Sequence, residues 1–245
     1  MFSFFSRKPV TKTLEWMGVD MHSHLVPGID DGSPDAATSA GYIKSLHELG
    51  LEKFICTPHV FMEIYPNSPD SINPALQALR NELKQRNIQV EVSAAAEYML
   101  DPDFDALMKE GNLLCLSGNL VLVEMSYQVE TRNIEKYIFD LNIKGYQPVL
   151  AHPERYIYYH KNYQQYKKLH ERGCLFQLNM LSLSGYYGKA VRQIAVNLLN
   201  DGLIDLCGTD LHHQRHLNAL STFVESGTAA KALNNYPLKN KDLLL

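Results

Sequence analysis

Short apolar runs alternate along this chain with longer stretches whose apolar residues recur at helical spacing. The runs over 19–24, 53–57, 89–95, 120–125, 147–151, 175–178 and 204–207 read as strands, being brief, apolar and bounded by turn residues. The segments 34–49, 70–86, 131–141, 163–172, 189–201 and 214–226 read as helices. Ser33-Pro34 predicts an N-cap followed by proline at the first helical position, and Gly50, Gly173 and Gly202 predict helix stops. Strands separated by helices pair in parallel through right-handed crossovers. Seven such units predict an α/β fold, a TIM-like (β/α)7 barrel one strand short of the usual eight. An open doubly wound sheet is the competing architecture.

No internal repeat or low-complexity linker divides the chain, so residues 1–17 read as an N-terminal tail and 18–245 as one domain. Phe2, Phe4, Phe5 and Trp16 are placed to dock on the body or on a partner, and the stretch after Asn234 either frays or packs, with Leu243, Leu244 and Leu245 as speculative partner contacts. A length of 245 residues, 45% hydrophobic and 20% charged, suits a folded chain with a sizeable core. The net charge of −4 argues against a nucleic-acid surface. Cys56, Cys115, Cys174 and Cys207 form no Cys-x-x-Cys pair, and Cys56 and Cys207 sit in apolar runs, so buried reduced thiols are expected. No apolar run reaches membrane-spanning length, and the Phe-rich start is too short for a secretory leader. The expected location is the cytoplasm.

Candidate chemistry gathers at the strand ends. His22 and His24 close the first run, and alternate side chains of an extended strand share a face. The following loop adds Asp30-Asp31-Gly32. The second run leads to Thr57-Pro58-His59, the third to Glu97, the fourth to Glu124, the fifth to His152-Pro153-Glu154-Arg155, and the seventh to Thr209-Asp210-Leu211-His212. A lone His-x-His is more often packing than ligand; ligand-type residues ending six of seven runs are another matter. In a barrel those ends converge on one face.

Nine candidates (His22, His24, Asp31, His59, Glu97, Glu124, His152, Asp210 and His212) exceed the three or four ligands that one zinc takes and predict a multinuclear site. Imidazole and carboxylate without thiolate favour Mn²⁺, Zn²⁺ or Fe²⁺, with Glu97 or Asp210 as the bridging carboxylate. Paired cations convert a shared water into hydroxide near neutral pH, so the cluster predicts hydrolysis. Arg155 and Arg215 follow the fifth and seventh strands, and the guanidinium fork matches phosphate oxygens. With Asp210 they are the candidate catalytic residues.

Asp-Met-His-Ser-His with the following Asp-Asp-Gly, then Thr-Pro-His, Glu97, Glu124, His-Pro-Glu-Arg-Tyr from His152 and Thr-Asp-Leu-His from Thr209 resemble the polymerase and histidinol phosphatase (PHP) superfamily. Within it the order and spacing are most similar to the capsular-polysaccharide protein-tyrosine phosphatases, over roughly residues 18–230. The resemblance implies a distorted (β/α)7 barrel and a centre of three divalent cations, commonly manganese. It also implies dephosphorylation of the tyrosine-rich tail of a bacterial tyrosine kinase in capsule or exopolysaccharide synthesis. By that likeness His22, His24, Glu97 and Asp210 hold one cation, Glu97, Glu124 and His152 a second, and Asp31, His59 and His212 a third. Arg155 resembles the family's phosphate-binding arginine; Arg215 takes the second arginine's place only where a shorter loop still delivers it.

Two alternatives stand beside this reading. One keeps the cluster but acts on a small phosphate ester such as histidinol phosphate; the other is a non-catalytic, metal-bound scaffold for a partner such as a kinase. Amidohydrolases share the first His-x-His, but their fourth-strand residue is usually lysine where this chain has Glu124. Tyr156, Tyr158, Tyr159, Tyr163 and Tyr166 read as ring faces packed by an amphipathic segment, with stacking on a phosphotyrosine ring as the alternative. Met99, Met125 and Met180 read as core or supporting fillers.

Overall fold

The computed structural model describes residues 11–244. Among the described residues nine strands and nine α-helices follow one another in the order β1 Val19–Asp20, α1 Ala36–Glu48, β2 Lys53–Cys56, β3 His59–Val60, α2 Pro69–Gln85, β4 Glu91–Ala94, β5 Glu97–Met99, α3 Phe104–Glu110, β6 Leu120–Glu124, α4 Ile134–Ile143, β7 Gln147–Ala151, α5 Gln164–Glu171, β8 Leu175–Asn179, α6 Met180–Ser184, α7 Lys189–Asn200, β9 Leu206–Gly208, α8 Gln214–Glu225 and α9 Thr228–Leu233. Every named strand pair is parallel, as helices between successive strand positions require.

The strands form two sheets, β1-β2-β4 and β3-β5-β6-β7-β8-β9. The second and third predicted strands are each followed by a short further strand, β3 and β5, beyond the predicted bounds. Pro58 has no N–H to continue the ladder, so β2 resumes as β3 only at His59. The partner strand breaks at Ala95-Ala96 and resumes at Glu97, whose N–H reaches the Pro58 carbonyl at 3.0 Å. The first predicted strand leaves the ladder after Asp20, yet its extension stays bonded on both sides. Thr57 N–H donates to the Ser23 carbonyl (2.8 Å), while Asp210 N–H donates to His22 (2.7 Å) and His24 N–H to Leu211 (3.0 Å). A parallel bridge between Ser23 and Leu211 thus joins the first strand position to the last. The architecture is a distorted TIM-like (β/α)7 barrel rather than an open sheet.

Alternating residues of the strands enter two apolar clusters. Leu122, Val149, Ala151 and Leu206 join Val19, Met21 and Ile55 in the smaller one, while Val121, Val123, Leu150, Phe176, Leu178 and Cys207 pack with helix residues such as Leu46, Leu79 and Leu141. That alternation is the strand period of two read against a helical layer. Leu14 and Met17 are fully buried in the larger cluster and Trp16 packs on it, so the segment before β1 docks on the body. Phe2, Phe4 and Phe5 lie outside the described residues. The end of the chain packs as well. Leu243 is buried, and Asn240 accepts from Cys207 N–H (2.9 Å) and donates to the carbonyls of Cys207 (2.7 Å) and Val19 (3.0 Å). This side chain ties β1 to β9.

Helix boundaries shift by a few residues where loops claim the expected caps. Ser33 does not cap α1: its N–H donates to the His24 carbonyl and its carbonyl accepts from Gly28 N–H. Asp35 takes the cap instead, accepting from Thr38 N–H at 2.7 Å. α4 starts at Ile134 rather than 131, behind Asn133 in a left-handed conformation. The short helices α3, α6 and α9 were not expected from the pattern, being too brief to show a period. All four cysteines are free thiols, three of them buried. No helix among the described residues is long and apolar enough to cross a membrane.

Candidate metal centre

The nine residues singled out at the strand ends come together. Glu97, fully buried at the start of β5, touches four imidazoles: His22 Nε2 at 3.3 Å, His24 Nε2 at 3.3 Å, His59 Nδ1 at 3.2 Å and His152 Nε2 at 3.1 Å. Asp210 Oδ1 lies 3.4 Å from His22 Nε2, from His24 Nε2 and from His212 Nδ1. Glu124 Oε1 is 2.8 Å from His59 Nδ1. Asp31 Oδ1 approaches His59 Nε2 at 3.5 Å and His212 Nε2 at 3.6 Å. The donor atoms fall into four overlapping groups: His24, Asp31, His59 and His212; His22, Glu97 and His152; His22, His24 and Asp210; and His59, Glu97 and Glu124.

Local structure aims these side chains. His152 (φ 35°) and Asp210 (φ 50°) both adopt left-handed backbone conformations, which cost a non-glycine residue energy and persist only where the surroundings enforce them. The enforcement is visible. His152 N–H donates to Gln177 Oε1 at 3.1 Å and Asp210 N–H to the His22 carbonyl at 2.7 Å. Two glycines admit the ligands' backbone: a Cβ on Gly32 would lie 2.2 Å from the His24 carbonyl oxygen, and one on Gly208 would lie 2.6 Å from His22 Cβ. No other residue fits either position without displacing a histidine.

The charges respond to this crowding. Burial pushes the Asp30 carboxyl up, but His24 more than reverses that and holds it at about 2. Burial and the His24 charge both push His59 down, yet Glu124 and Glu97 outweigh them and raise it to about 10. Glu97 is held well below the carboxylate range against its burial, by His22, His152 and His24. Glu124 is pushed up by burial and by the charge of Glu97. Burial lowers His152 and His212 to about 4, with Arg155 adding to the first and His24 to the second.

Several buried atoms in the cluster have no hydrogen-bond partner: His22 Nε2, His24 Nε2, His59 Nδ1 and Glu97 Oε2. Unpaired polar atoms at such depth are costly unless something else satisfies them. All four point into the shared space between imidazoles and carboxylates, and hard nitrogen and oxygen donors without sulfur fit divalent cations of the Mn²⁺, Fe²⁺ or Zn²⁺ kind. The residues fit a metal centre.

Of the two arginines, one reaches the cluster. Arg155 Nη1 donates to Asp210 Oδ2 at 2.7 Å, and its guanidinium lies between the rings of Tyr127 (4.5 Å) and Tyr187 (4.2 Å). Arg215 is exposed on the first turn of α8 and makes none of the contacts described above. It stands on α8, which begins at Gln214, rather than in the loop after the last strand. Glu124 Oε1 lies beside His59, and Glu97 belongs both to the group that holds Glu124 and to the group that holds His152.

Orienting residues escaped the sequence reading. Asp30 Oδ2 binds His24 Nδ1 at 2.8 Å and accepts from His59 N–H at 3.1 Å. Gln177 Oε1 binds His22 Nδ1 at 2.8 Å, and Asn179 donates to Asp210 Oδ2 at 2.8 Å. Gln177 and Asn179 end the one strand without a ligand, two residues apart, and that spacing was the missed signal. Buried Asp20, raised to about 6 by its burial, accepts from Thr209 N–H and Oγ1 and fixes the loop before Asp210. Tyr127 Oη, 3.1 Å from His152 Nε2, had no sequence signal. Of the tyrosine patch, Tyr156, Tyr159 and Tyr166 are buried and pack edge to face, so ring packing is the account the structure supports. Met125 and Met180 are fully buried core residues, and Met99 is half-buried.

The sequence and the fold are similar to those of known proteins. The family described as capsular polysaccharide synthesis, CpsB/CapC, matches residues 18–232. The chain is 29% identical to the tyrosine-protein phosphatase YwqE of Bacillus subtilis over 201 residues, covering 82% of this chain and 79% of that one. It is 23% identical to the tyrosine-protein phosphatase CpsB of Streptococcus agalactiae over 201 residues, 80% of this chain and 83% of that one. A crystal structure from the pair YwqE of Bacillus subtilis and CpsB of Streptococcus pneumoniae, metal-dependent tyrosine phosphatases, superposes with a TM-score of 0.79 at 27% identity, over 92% of this chain and 94% of that one. A phosphotriesterase homology protein from Escherichia coli, solved with phosphate in its active site, shares the fold alone, with a TM-score of 0.54 at 14% identity over 92% and 94% of the two chains. With that family matching nearly the whole of the described chain, the chain belongs to the CpsB/CapC family of capsular polysaccharide synthesis.

Proposed function

We propose that this chain is a metal-dependent protein-tyrosine phosphatase. The observation that carries the reading is the convergence of nine imidazoles and carboxylates around buried donor atoms that make no hydrogen bond. Three divalent cations, manganese by preference, suit that donor count. His22, His24, Asp210 and Glu97 are proposed to hold one, Asp31, His59 and His212 another. Glu97, Glu124 and His152 would hold the last, Glu97 being common to the group that contains Glu124 and the group that contains His152. When bound, such cations supply a hydroxide near neutral pH and stabilise charge on the attacking and leaving oxygens.

The chain's own groups do the rest. Arg155, cationic and braced by two tyrosine rings, presents its remaining N–H donors as a fork for phosphate oxygens. Asp210 holds that fork in place through its Oδ2, and Asn179 fixes the same oxygen from the other side. Tyr127 Oη lies beside His152, where it can steady the imidazole or a substrate oxygen. Residues 18–245 are proposed to act as one domain, on which residues 11–17 dock. The proposed substrate is the tyrosine-rich tail of a bacterial tyrosine kinase in capsule or exopolysaccharide synthesis, met in the cytoplasm; the relatives' names support a phosphotyrosyl protein and the family's description a place in capsule synthesis.

The test is hydrolysis of p-nitrophenyl phosphate and phosphotyrosyl peptide by purified protein, with Mn²⁺ and with chelator, beside histidinol phosphate as comparison. Turnover of both aryl esters with Mn²⁺ and its loss with chelator are expected. The Glu97→Gln variant should lose at least about 100-fold in kcat/KM, because the charge stabilisation at such centres amounts to several kcal/mol. Metal-independent turnover, or faster hydrolysis of histidinol phosphate than of the peptide, would overturn the assignment.

A further inference from the structure

We propose that the cleft between the turn after β3 and the loop after β6 seats the aromatic ring of the substrate, so that Phe61 and Tyr65 make the centre selective for aryl over alkyl phosphates. The proposal deepens the phosphatase reading and rests on it. The cleft has a volume of about 250 Å³ and opens directly on the metal centre, since His59 and Glu124 form part of its lining. Phe61 and Tyr65 line it from the turn, and Met99 and Tyr127 also contribute. A cavity of about 150 Å³ already takes up benzene, so the space admits a phenyl ring with room for its substituents.

The aromatic wall is built in place. Phe61 N–H donates to the Tyr65 carbonyl at 3.0 Å and Tyr65 N–H returns to Phe61 at 2.7 Å, which closes a tight turn. Buried Asn67 clamps its base, donating to the carbonyls of His59 (2.9 Å) and Ile29 (2.8 Å). The Tyr65 ring stacks on His59, with centroids 5.6 Å apart and planes 13° from parallel. A ligand of the centre and a wall of the cleft are therefore one stacked unit. Apolar residues at this turn serve no core: Met62 and Ile64 are 40% and 58% exposed, and Phe61 and Tyr65 are half-buried. Across the cleft Tyr127, 41% exposed, is held by Arg155 against its ring face. A phosphate gripped by Arg155 and the centre thus projects its ester group past aromatic faces. A planar ring gains edge and face contacts there that a flexible alkyl chain does not.

Inhibition by two non-hydrolysable probes separates the ring from the phosphorus. Phenylphosphonate and methylphosphonate are each titrated as competitive inhibitors of Mn²⁺-dependent p-nitrophenyl phosphate turnover, in wild type, Phe61→Ala, Tyr65→Ala and Tyr65→Phe, with bound metal measured in each. Loss of one aromatic face should weaken phenylphosphonate about five- to tenfold, leave methylphosphonate within about twofold, and be rescued in Tyr65→Phe. Metal content should not change in Phe61→Ala or Tyr65→Phe, and its loss in either would make the turn a support of the centre and overturn the ring seat. Equal weakening of both probes, or none of either, overturns the ring seat while leaving the phosphatase reading intact. Absence of any Mn²⁺-dependent turnover in wild type overturns the phosphatase reading itself, and this proposal with it.

Discussion

Asp30 shows how much a single unliganding carboxylate contributes. It stands beside Asp31, which points into the cluster, but Asp30 instead binds His24 Nδ1 and takes the N–H of His59. It thereby fixes which nitrogen of His24 faces the other donors, and it anchors two ligands from different strand positions. Its own carboxyl, held at about 2, stays ionised at any working pH. Outer-shell partners of this kind change metal affinity by about 10- to 100-fold. Asp30→Asn should therefore weaken metal binding by that range with little change in fold, seen as a higher Mn²⁺ concentration for half-maximal turnover and an unchanged circular dichroism spectrum. An unaltered Mn²⁺ requirement would show that His24 is oriented without it.

At the scale of elements, the ligands are positioned by strand ends that have stopped being regular strands. His22 and His24 lie beyond the last ladder residue of β1, His59 and Glu97 open the resumed strands β3 and β5, and Asp210 follows β9 in a left-handed conformation. The packing of β9 against the first strand position leaves no space at Gly208, where a Cβ would meet His22 Cβ at 2.6 Å and Gln177 Nε2 at 3.0 Å. Gly208→Ala must displace His22 or the strand, at a cost of about 1–3 kcal/mol for overpacking. Its melting temperature should fall by several degrees, with bound metal lost in parallel. A variant that keeps full metal occupancy would mean that the strand, not the ligand, gives way.

For the whole molecule, buried Asp205 links segments distant in sequence. It accepts from Phe176 N–H on β8 (3.0 Å) and Lys239 Nζ near the chain end (2.6 Å), and it meets His170 Nε2 on α5 at 3.1 Å. Burial pushes its carboxyl up, but His170, Lys239 and the Phe176 N–H outweigh that and hold it below the ordinary carboxylate value. A lowered folded value means that the unfolded chain binds the proton more tightly. The stabilisation is complete above the unfolded carboxylate value near 4 and is lost as pH falls through the lowered folded one. Asp205→Asn should cost about 1–2 kcal/mol at neutral pH, with the gap to wild type closing on acidification. Parallel melting-temperature curves across that range would exclude the linkage.

The sequence by itself determined what depends on local period and residue type. Apolar runs and helical spacing located the strands and the longer helices, and the recurrence of imidazole and carboxylate at run ends pointed to a cluster able to bind metal, because the alternation of strand side chains is local geometry. The same pattern named Arg155. Tertiary structure alone decided which donors meet: that Glu97 stands among four histidines, that Glu124 faces His59, that Arg215 stays on an exposed helix turn, and that Gln177, Asn179 and Asp30 orient the ligands. Those contacts join residues as far apart as His22 and Gln177, 155 positions along the chain. Their distances depend on how the strand positions close upon one another through Ser23, Leu211 and Asn240, and no pattern confined to a few neighbouring residues carries that closure.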